Sequence, residues 1–208
     1  MVPMSAEDFQ IHLNVPRETM DKFIIFSELL KKWQKSINLV SNNTLSDMWR
    51  RHFFDSAQLI NFIPERENTV ILDLGSGAGF PGLVLSILGV SRVHLVEAVG
   101  KKCYFMNHVI RDTGINAIVH NERIEKMTPF PVDTITSRAC ADIGTLLQLT
   151  ASFRGEKTEC LFLKGERWQE EIQTAQKKYS FNVKKQASKS EESGMVLSLS
   201  NIKGWGPG

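Results

Sequence analysis

The sequence predicts an α/β fold in which a mostly parallel sheet is flanked by helices. Three observations predict it. From residue 69 onward, strand-like apolar segments alternate with helix-like segments, the pattern of a parallel sheet covered on both faces. The first 64 residues show only helical spacing, and residues 181–203 hold two strand-like segments with no helix between them. At 208 residues, the chain is long enough for one large core with an accessory segment.

Apolar residues recur at helical spacing in two N-terminal segments. The first covers residues 17–37, with Pro16 placed where a helix can begin. The second follows candidate capping residues in SNNTLSDMWR and continues to Pro64. We therefore assign residues 1–66 to a helical extension packed on the main domain, and residues 67–208 to the main domain itself.

The main domain supplies its strands and helices in alternation. Strands are predicted at TVILDL, RVHLVEA, AIVH, DTITS and ECLFLKG, and helices at PGLVLSILG, KKCYFMNHVIRDTG, DIGTLLQLTASF and WQEEIQTAQKKYS. The last two strands, FNVKKQAS and MVLSLSNIK, flank the polar stretch SEESG. This arrangement predicts an antiparallel hairpin at one edge of the sheet. The total is seven strands.

Composition and charge exclude several classes of protein. No apolar stretch approaches the roughly 18 residues of a membrane span, and the N-terminus lacks a signal-peptide pattern, so we expect a cytoplasmic protein without membrane contact. The formal charge is only +2, so a nucleic-acid partner has to be inferred from local clusters. Cys103, Cys140 and Cys160 fit neither a disulfide framework nor a CxxC metal site. We expect no metal, and an inert, buried thiol at Cys140.

The glycine-rich stretch DLGSGAGFPG follows the first predicted strand and opens a helix. Its glycines match a dinucleotide-binding turn, with Glu97 after the next strand as the ribose-binding acid. Asp73, however, would repel a pyrophosphate, whereas it suits the sulfonium and ammonium groups of S-adenosylmethionine. We therefore predict S-adenosylmethionine as the cofactor, with Asp73, Gly77, Gly79 and Glu97 in its site.

Two alternatives remain open at this point. One is an NAD-dependent oxidoreductase on the same kind of Rossmann-like sheet, and the other is a cofactor-binding protein without catalysis. Further candidate residues follow later strands at the same carboxyl edge of the sheet, where open α/β folds bind ligands. They are Ile124 and Glu125 after AIVH, and Arg138 after DTITS.

Several motifs together resemble one methyltransferase family. WQKSINLVS, RRHFFDSAQL, DLGSGAGFPGLVLSI, SRA and LKGE occur in the order and at the spacing of the bacterial small-subunit ribosomal RNA guanine-N7 methyltransferases, formerly called glucose-inhibited division protein B. The resemblance covers nearly the whole chain. It implies a seven-stranded methyltransferase sheet with an N-terminal helical extension, so that residues 67–208 would form the S-adenosylmethionine-dependent domain. It also implies cofactor contacts at Gly75, Phe80, Ile124, Glu125 and Arg138.

The resemblance further implies methylation of a guanine N7 in small-subunit ribosomal RNA. Guanine N7 already has a free lone pair, so no general base is required, and we assign no catalytic residue. We expect Arg138 and Lys164 to contact the guanine, and the cationic cluster that includes Arg51 and His52 to contact the RNA. Alternatively, Asp55 forms an ion pair with Arg51 inside the helical segment.

The nearly balanced charge also predicts how the substrate is presented. We expect weak binding to naked RNA and recognition of a folded substrate in a ribosomal particle. No long exposed apolar helix requires a partner, so we expect a monomer.

Overall fold

A computed structural model describes residues 3–204 and shows a single seven-stranded sheet. The order of its strands is β3-β2-β1-β4-β5-β7-β6. The first five strands are mutually parallel, whereas β7 runs antiparallel to both β5 and β6. The strands are β1 Val70–Leu74, β2 Arg92–Val96, β3 Ala117–His120, β4 Val132–Arg138, β5 Arg154–Lys164, β6 Tyr179–Ala187 and β7 Met195–Gly204.

The predicted α/β fold with a terminal hairpin is confirmed, and the differences lie at the ends of elements. Strand β5 begins earlier than the predicted ECLFLKG, at Arg154. The last predicted helix is shorter, because Tyr179 already pairs with Gly204 as the first residue of β6. The helices of this half are α5 Gly82–Ile87, α6 Gly100–Thr113, α7 Ile143–Leu149 and α8 Trp168–Ala175.

The N-terminal segment is helical, as predicted, but more broken than its apolar pattern suggests. Helix α1 (Ala6–Leu13) begins at a capping box between Ser5 and Asp8. Helix α2 spans Arg17–Gln34. It ends before the predicted residue 37 because the Gln34 side chain accepts hydrogen bonds from the Leu39 and Val40 amides, which turns the chain back.

The second N-terminal segment does not form one regular helix. After the short helix α3 (Asn42–Leu45), residues Trp49–Phe54 form a π-helix. It continues into α4 (Asp55–Ala57) and a 3-10 turn over Gln58–Phe62. Short π-helical insertions are frequent at functional sites. This π-helix contains Arg51 and His52 of the predicted cationic cluster.

Aromatic side chains join the N-terminal helices to the sheet domain. The ring of Phe26 in α2 stacks on Phe80, with centroids 5.0 Å apart, and Phe53 meets Phe80 edge-on at 5.3 Å. Phe26 also lies 6.1 Å from Phe105 in α6. All four rings are almost completely buried. The predicted extension thus shares its core with helices of the main domain, while the boundary at residue 66 stays a prediction. Residues 1–2 of the predicted extension and residues 205–208 of the predicted main domain lie outside the described part of the chain.

Within residues 3–204, no helix combines the length and apolar character needed to cross a membrane.

Candidate functional site

A cleft of about 1150 Å³ lies at the carboxyl ends of the parallel strands. The glycine-rich turn after β1 forms its floor, and the turns that follow β2, β3, β4 and β5 form its rim. The π-helical segment closes one side together with the β6–β7 loop, residues 188–194. Such an edge is where open α/β sheets bind their ligands.

Neighbouring side chains leave no room for a Cβ atom at most glycines of the glycine-rich turn, whereas one glycine has open space beside it. A Cβ atom on Gly75 would overlap the Cys140 side chain, and one on Gly79 would overlap Leu83. Gly77 has a φ of +58° and only the Gly75 carbonyl oxygen near its missing Cβ, at 3.9 Å. Gly77 is therefore the glycine of this turn that faces the cleft without packing against a side chain. Gly79 does not line the cleft.

Asp73 lies beneath the turn, fully buried. Its carboxylate accepts hydrogen bonds from the Thr136 hydroxyl (2.7 Å) and the Gly82 amide (3.2 Å). Burial raises its pKa from 3.8 to about 6, against the opposing effect of these donors and of Arg138. Asp73 does not line the cleft, so it holds the turn against α5. The predicted direct contact with a cofactor stays a prediction.

Glu97 lines the cleft and holds the opposite side of the turn. Its two carboxylate oxygens accept hydrogen bonds from the amides of Gly77 (3.0 Å) and Val99 (2.8 Å). Each oxygen has a second lone pair, so the carboxylate can accept further hydrogen bonds from a ligand. Ile124, which is buried, and Glu125, which is exposed, line the same cleft after β3.

Arg138 connects the sheet to the N-terminal helices. Its guanidinium lies 5.0 Å from the centroid of the Phe80 ring and donates a hydrogen bond to the Arg51 carbonyl oxygen (3.0 Å). Its Nη1 lies 3.5 Å from Asp55 Oδ2, with less than a fifth of either side chain exposed. Burial lowers the Arg138 pKa, and Asp55 acts in the opposite direction. Phe80 has Phe26 stacked against it and Arg138 within cation–π distance.

The alternative ion pair between Asp55 and Arg51 is wrong. Asp55 pairs with Arg138, while Arg51 pairs with Glu191 of the β6–β7 loop at 3.2 Å. The local spacing of one helix suggested the Arg51 pair. The tertiary fold instead brings two distant residues, Arg138 and Glu191, to this segment.

His52 is not part of a cationic cluster. It is 93% buried by side-chain packing against Phe80 and its neighbours, and its pKa falls to about 3 because of burial and of the charges on Arg138 and Arg51. The Thr44 hydroxyl donates to the Ser41 carbonyl oxygen, so it accepts from His52 Nε2 at 2.7 Å. His52 is therefore a neutral residue of the cleft wall.

Lys164 lines the cleft but its ammonium group is already bound. It forms an ion pair with Glu171 at 2.7 Å and donates a hydrogen bond to the Ala141 carbonyl oxygen. Cys140 is exposed to the cleft, so the predicted burial of this thiol is wrong. It lies in the turn after β4, where its side chain packs directly against Gly75 of the glycine-rich turn.

Sequence reasoning missed the contribution of the β6–β7 loop. Ser190 donates a hydrogen bond to Asp55, and Gln58 donates to Ser188 at 3.2 Å. The stretch SEESG, with its neighbours, indicated only the connection of a hairpin. Its contacts join residues 130 and 135 positions apart in the chain, so no local sequence pattern predicts them. Within the described ranges, His, Cys, Asp and Glu residues form no cluster of three that could hold a metal ion.

The family model described as GidB, rRNA small subunit methyltransferase G, matches residues 19–196. The chain belongs to this family. A ribosomal RNA small subunit methyltransferase G from Rhodospirillum centenum is 46% identical over 197 residues, which cover 95% of this chain and 91% of that protein. The corresponding protein from Rhodospirillum rubrum is 44% identical, with 96% and 98% covered. The resemblance drawn from the motifs is therefore confirmed.

Solved structures of other methyltransferases have the same fold as this chain. Magnesium protoporphyrin IX methyltransferase from Synechocystis, solved with bound SAM, matches with a TM-score of 0.59 and 10% identity over 89% of this chain and 98% of that one. The ribosomal protein L11 methylase from Lactobacillus delbrueckii matches with a TM-score of 0.58 and 15% identity, with 70% and 76% covered. At such identities the likeness supports the fold alone.

Proposed function

We propose that the protein transfers a methyl group from S-adenosylmethionine to N7 of a guanine in small-subunit ribosomal RNA. The observation that carries the proposal is the pairing of the open Gly77 turn with the Glu97 carboxylate in one cleft, in a chain of the methyltransferase G family. Family membership favours this activity over an NAD-dependent oxidoreductase or a non-catalytic binding protein.

The residues of the cleft fit S-adenosylmethionine. The Glu97 oxygens, each of which accepts one backbone hydrogen bond, have lone pairs left for the two ribose hydroxyls, and Ile124 offers an apolar surface to the adenine. The open space at Gly77 admits a ligand close to the backbone. When bound, the cofactor supplies a methyl group on a sulfonium for an in-line displacement. The chain's own task is then to hold the acceptor nitrogen close and aligned.

Three cations of the cleft can contact the RNA, and each now has an acidic partner. Arg138 pairs with Asp55, while Arg51 and Lys164 pair with acids of the β6–β7 loop and of α8. Phosphate or guanine O6 would replace these carboxylates as the partner. Arg51 is the most exposed of the three, with 34% of its side chain accessible, so it can exchange partners at the smallest cost.

The remaining parts of the proposal concern the substrate's form and the protein's surroundings. We infer that the RNA is presented in a ribosomal particle, because the charge of +2 gives little attraction for naked RNA. We also infer that the protein acts as a monomer, and that it works in the cytoplasm, where its substrate is assembled.

Calorimetry tests the cofactor site. Glu97→Gln retains the size of the side chain but removes its charge and one acceptor, so S-adenosylmethionine should bind about 5- to 30-fold more weakly. Glu122→Gln, also at the cleft, is the matched control and should bind as the wild type does. Saturable binding of NAD without binding of S-adenosylmethionine would overturn the proposal.

Mapping of the methyl group tests the substrate. Small ribosomal subunits that lack the modification are incubated with the protein and labelled cofactor, and the labelled nucleotide is identified after digestion. We expect one labelled N7-methylguanine, with faster transfer to subunits than to the same RNA stripped of protein. Label on another atom, or on protein, would contradict the assignment of guanine N7.

A further inference from the structure

An exposed aromatic surface lies on α6, outside the cleft. Tyr104 and His108 of this helix meet Trp33 of α2, with ring centroids 4.3 Å apart between Tyr104 and His108 and 4.9 Å between Trp33 and His108. Trp33 also contacts the fully buried Phe105, which anchors the group in the core. Tyr104 nevertheless remains 59% exposed. We call Trp33, Tyr104 and His108 the aromatic platform.

The platform is held rigidly. The Tyr104 carbonyl oxygen can only accept a hydrogen bond, so the nearby Nδ1 of His108, at 2.9 Å, donates to it. This bond fixes the orientation of the imidazole ring against Tyr104. The Tyr104 ring is tilted 64° from His108 and 57° from Trp33, so the exposed Tyr104 is the ring on which a flat partner can stack. A ring held by its neighbours loses little conformational entropy when this happens.

Cations surround the platform. Lys101, Tyr104, His108 and Arg111 follow one another at intervals of three, four and three residues, so they share one face of α6. Lys32, next to Trp33 on α2, acts electrostatically on Asp112, which also pairs with Arg111 at 2.7 Å.

The local charge is consequently positive. Lys32, Lys101 and Arg111 supply three positive charges against one negative charge on Asp112. Aromatic faces next to such cations are the combination that binds single-stranded nucleic acid, since bases stack on the rings and phosphates meet the cations. An acidic protein surface would use the cations but not the stacked faces.

Helix α6 also connects the platform to the cleft. It begins at Gly100, just after Glu97, and Lys102 in its first turn lines the cleft. Tyr104 follows two residues later, about 3 Å farther along the helix axis and about 200° around it, so it lies on the face of α6 away from the cleft. An RNA strand with one base in the cleft would have to pass around the first turn of α6 to reach the platform.

We propose that the aromatic platform stacks an unpaired base of the ribosomal RNA near the target guanine, with Lys32 and Lys101 contacting its phosphates. This inference rests on the proposed function, because it assumes that ribosomal RNA is the substrate. It adds an RNA-binding surface on the outer face of α6 to the residues of the cleft.

Methylation kinetics on unmodified small subunits test the platform. Tyr104→Ala removes an exposed ring and should raise KM for subunits at least fivefold, with kcat and the Kd for S-adenosylmethionine unchanged. Tyr104→Phe retains the ring and should behave as the wild type. Lys101→Ala should raise KM most at low salt, since it removes a phosphate contact. Ile11→Ala, an exposed apolar residue of α1, and Lys177→Ala, near the opposite edge of the sheet, are the matched controls.

A photo-crosslinking amino acid at position 104 gives an independent measurement. We expect it to crosslink to ribosomal RNA in small subunits, and crosslinking to ribosomal protein alone would overturn the proposal. So would an unchanged KM in Tyr104→Ala when the wild type methylates RNA. If the wild type transfers no methyl group, the proposed function fails, whereas the crosslink still decides whether the platform binds RNA.

Discussion

The buried carboxylate of Asp73 predicts a specific dependence of stability on pH. Its pKa is raised from 3.8 to about 6 in the folded protein, which corresponds to about 3 kcal/mol at 1.36 kcal/mol per pH unit. Between these two pH values the unfolded chain has lost the proton and the folded protein still holds it. The free energy of unfolding therefore falls as the pH rises through this window, and the loss is complete above about pH 6.

Asp73→Asn isolates this effect because the amide can keep both hydrogen bonds. Its oxygen accepts from the Gly82 amide, and its NH₂ group donates to the Thr136 hydroxyl, which can reorient. Urea unfolding of both proteins between pH 3.5 and 7.5 gives the difference in the free energy of unfolding at each pH. We expect the wild type to lose about 3 kcal/mol relative to the variant across this range.

Groups other than Asp73 titrate in both proteins and cancel in this difference. Asp21→Asn, which removes an exposed carboxyl group, is the control for the loss of one charge from the chain. A difference that stays constant with pH for Asp73→Asn would contradict the prediction, since it would mean that burial does not raise the pKa of Asp73 in the folded protein.

Three further predictions follow from the site. Gly77→Ala and Gly89→Ala both place a side chain at positive φ, so each should lower the free energy of unfolding in urea by about 1–2 kcal/mol. Only Gly77→Ala should also weaken S-adenosylmethionine binding in calorimetry, because Gly89 lies outside the cleft. Arg138→Met should lower the free energy of unfolding by about 3 kcal/mol, because it leaves the nearly buried Asp55 carboxylate without its cation. Arg111→Met removes an exposed ion pair and should leave the free energy of unfolding unchanged. Cys140 should react with iodoacetamide at pH 7.5 more slowly than free cysteine, because desolvation and nearby carboxylates raise the pKa of its thiol. Bound cofactor should slow the reaction further, and a Cys140 rate equal to that of free cysteine would contradict the prediction.

Local patterns sufficed for the elements whose residues are neighbours in sequence. The alternation of apolar segments predicted the parallel strands, and the polar stretch between the last two predicted the hairpin, because each pattern reflects which face of one element is buried. The glycines and the acid after the second strand pointed to the same cleft edge, since the carboxyl ends of parallel strands meet there.

Charge states were beyond such reasoning. The sequence places Arg51 and His52 side by side as cations, yet one is paired with a loop 140 residues away and the other is neutral. Burial decides whether a histidine keeps its proton, and His52 is buried against the Phe80 ring of the turn after β1. Cys140 is the reverse case, a thiol expected inside the core that the fold leaves open to the cleft.

The fold class, the family and the edge of the sheet that carries the site follow from the amino-acid sequence alone, because they depend on periodicity and on motifs within single elements. The position of Asp73 beneath the turn, the ion pair of Arg138 with Asp55 and the place of the β6–β7 loop at the cleft emerge only in the folded chain. Each of those contacts joins residues that packing alone brings together, and their energies depend on how completely water is excluded around them.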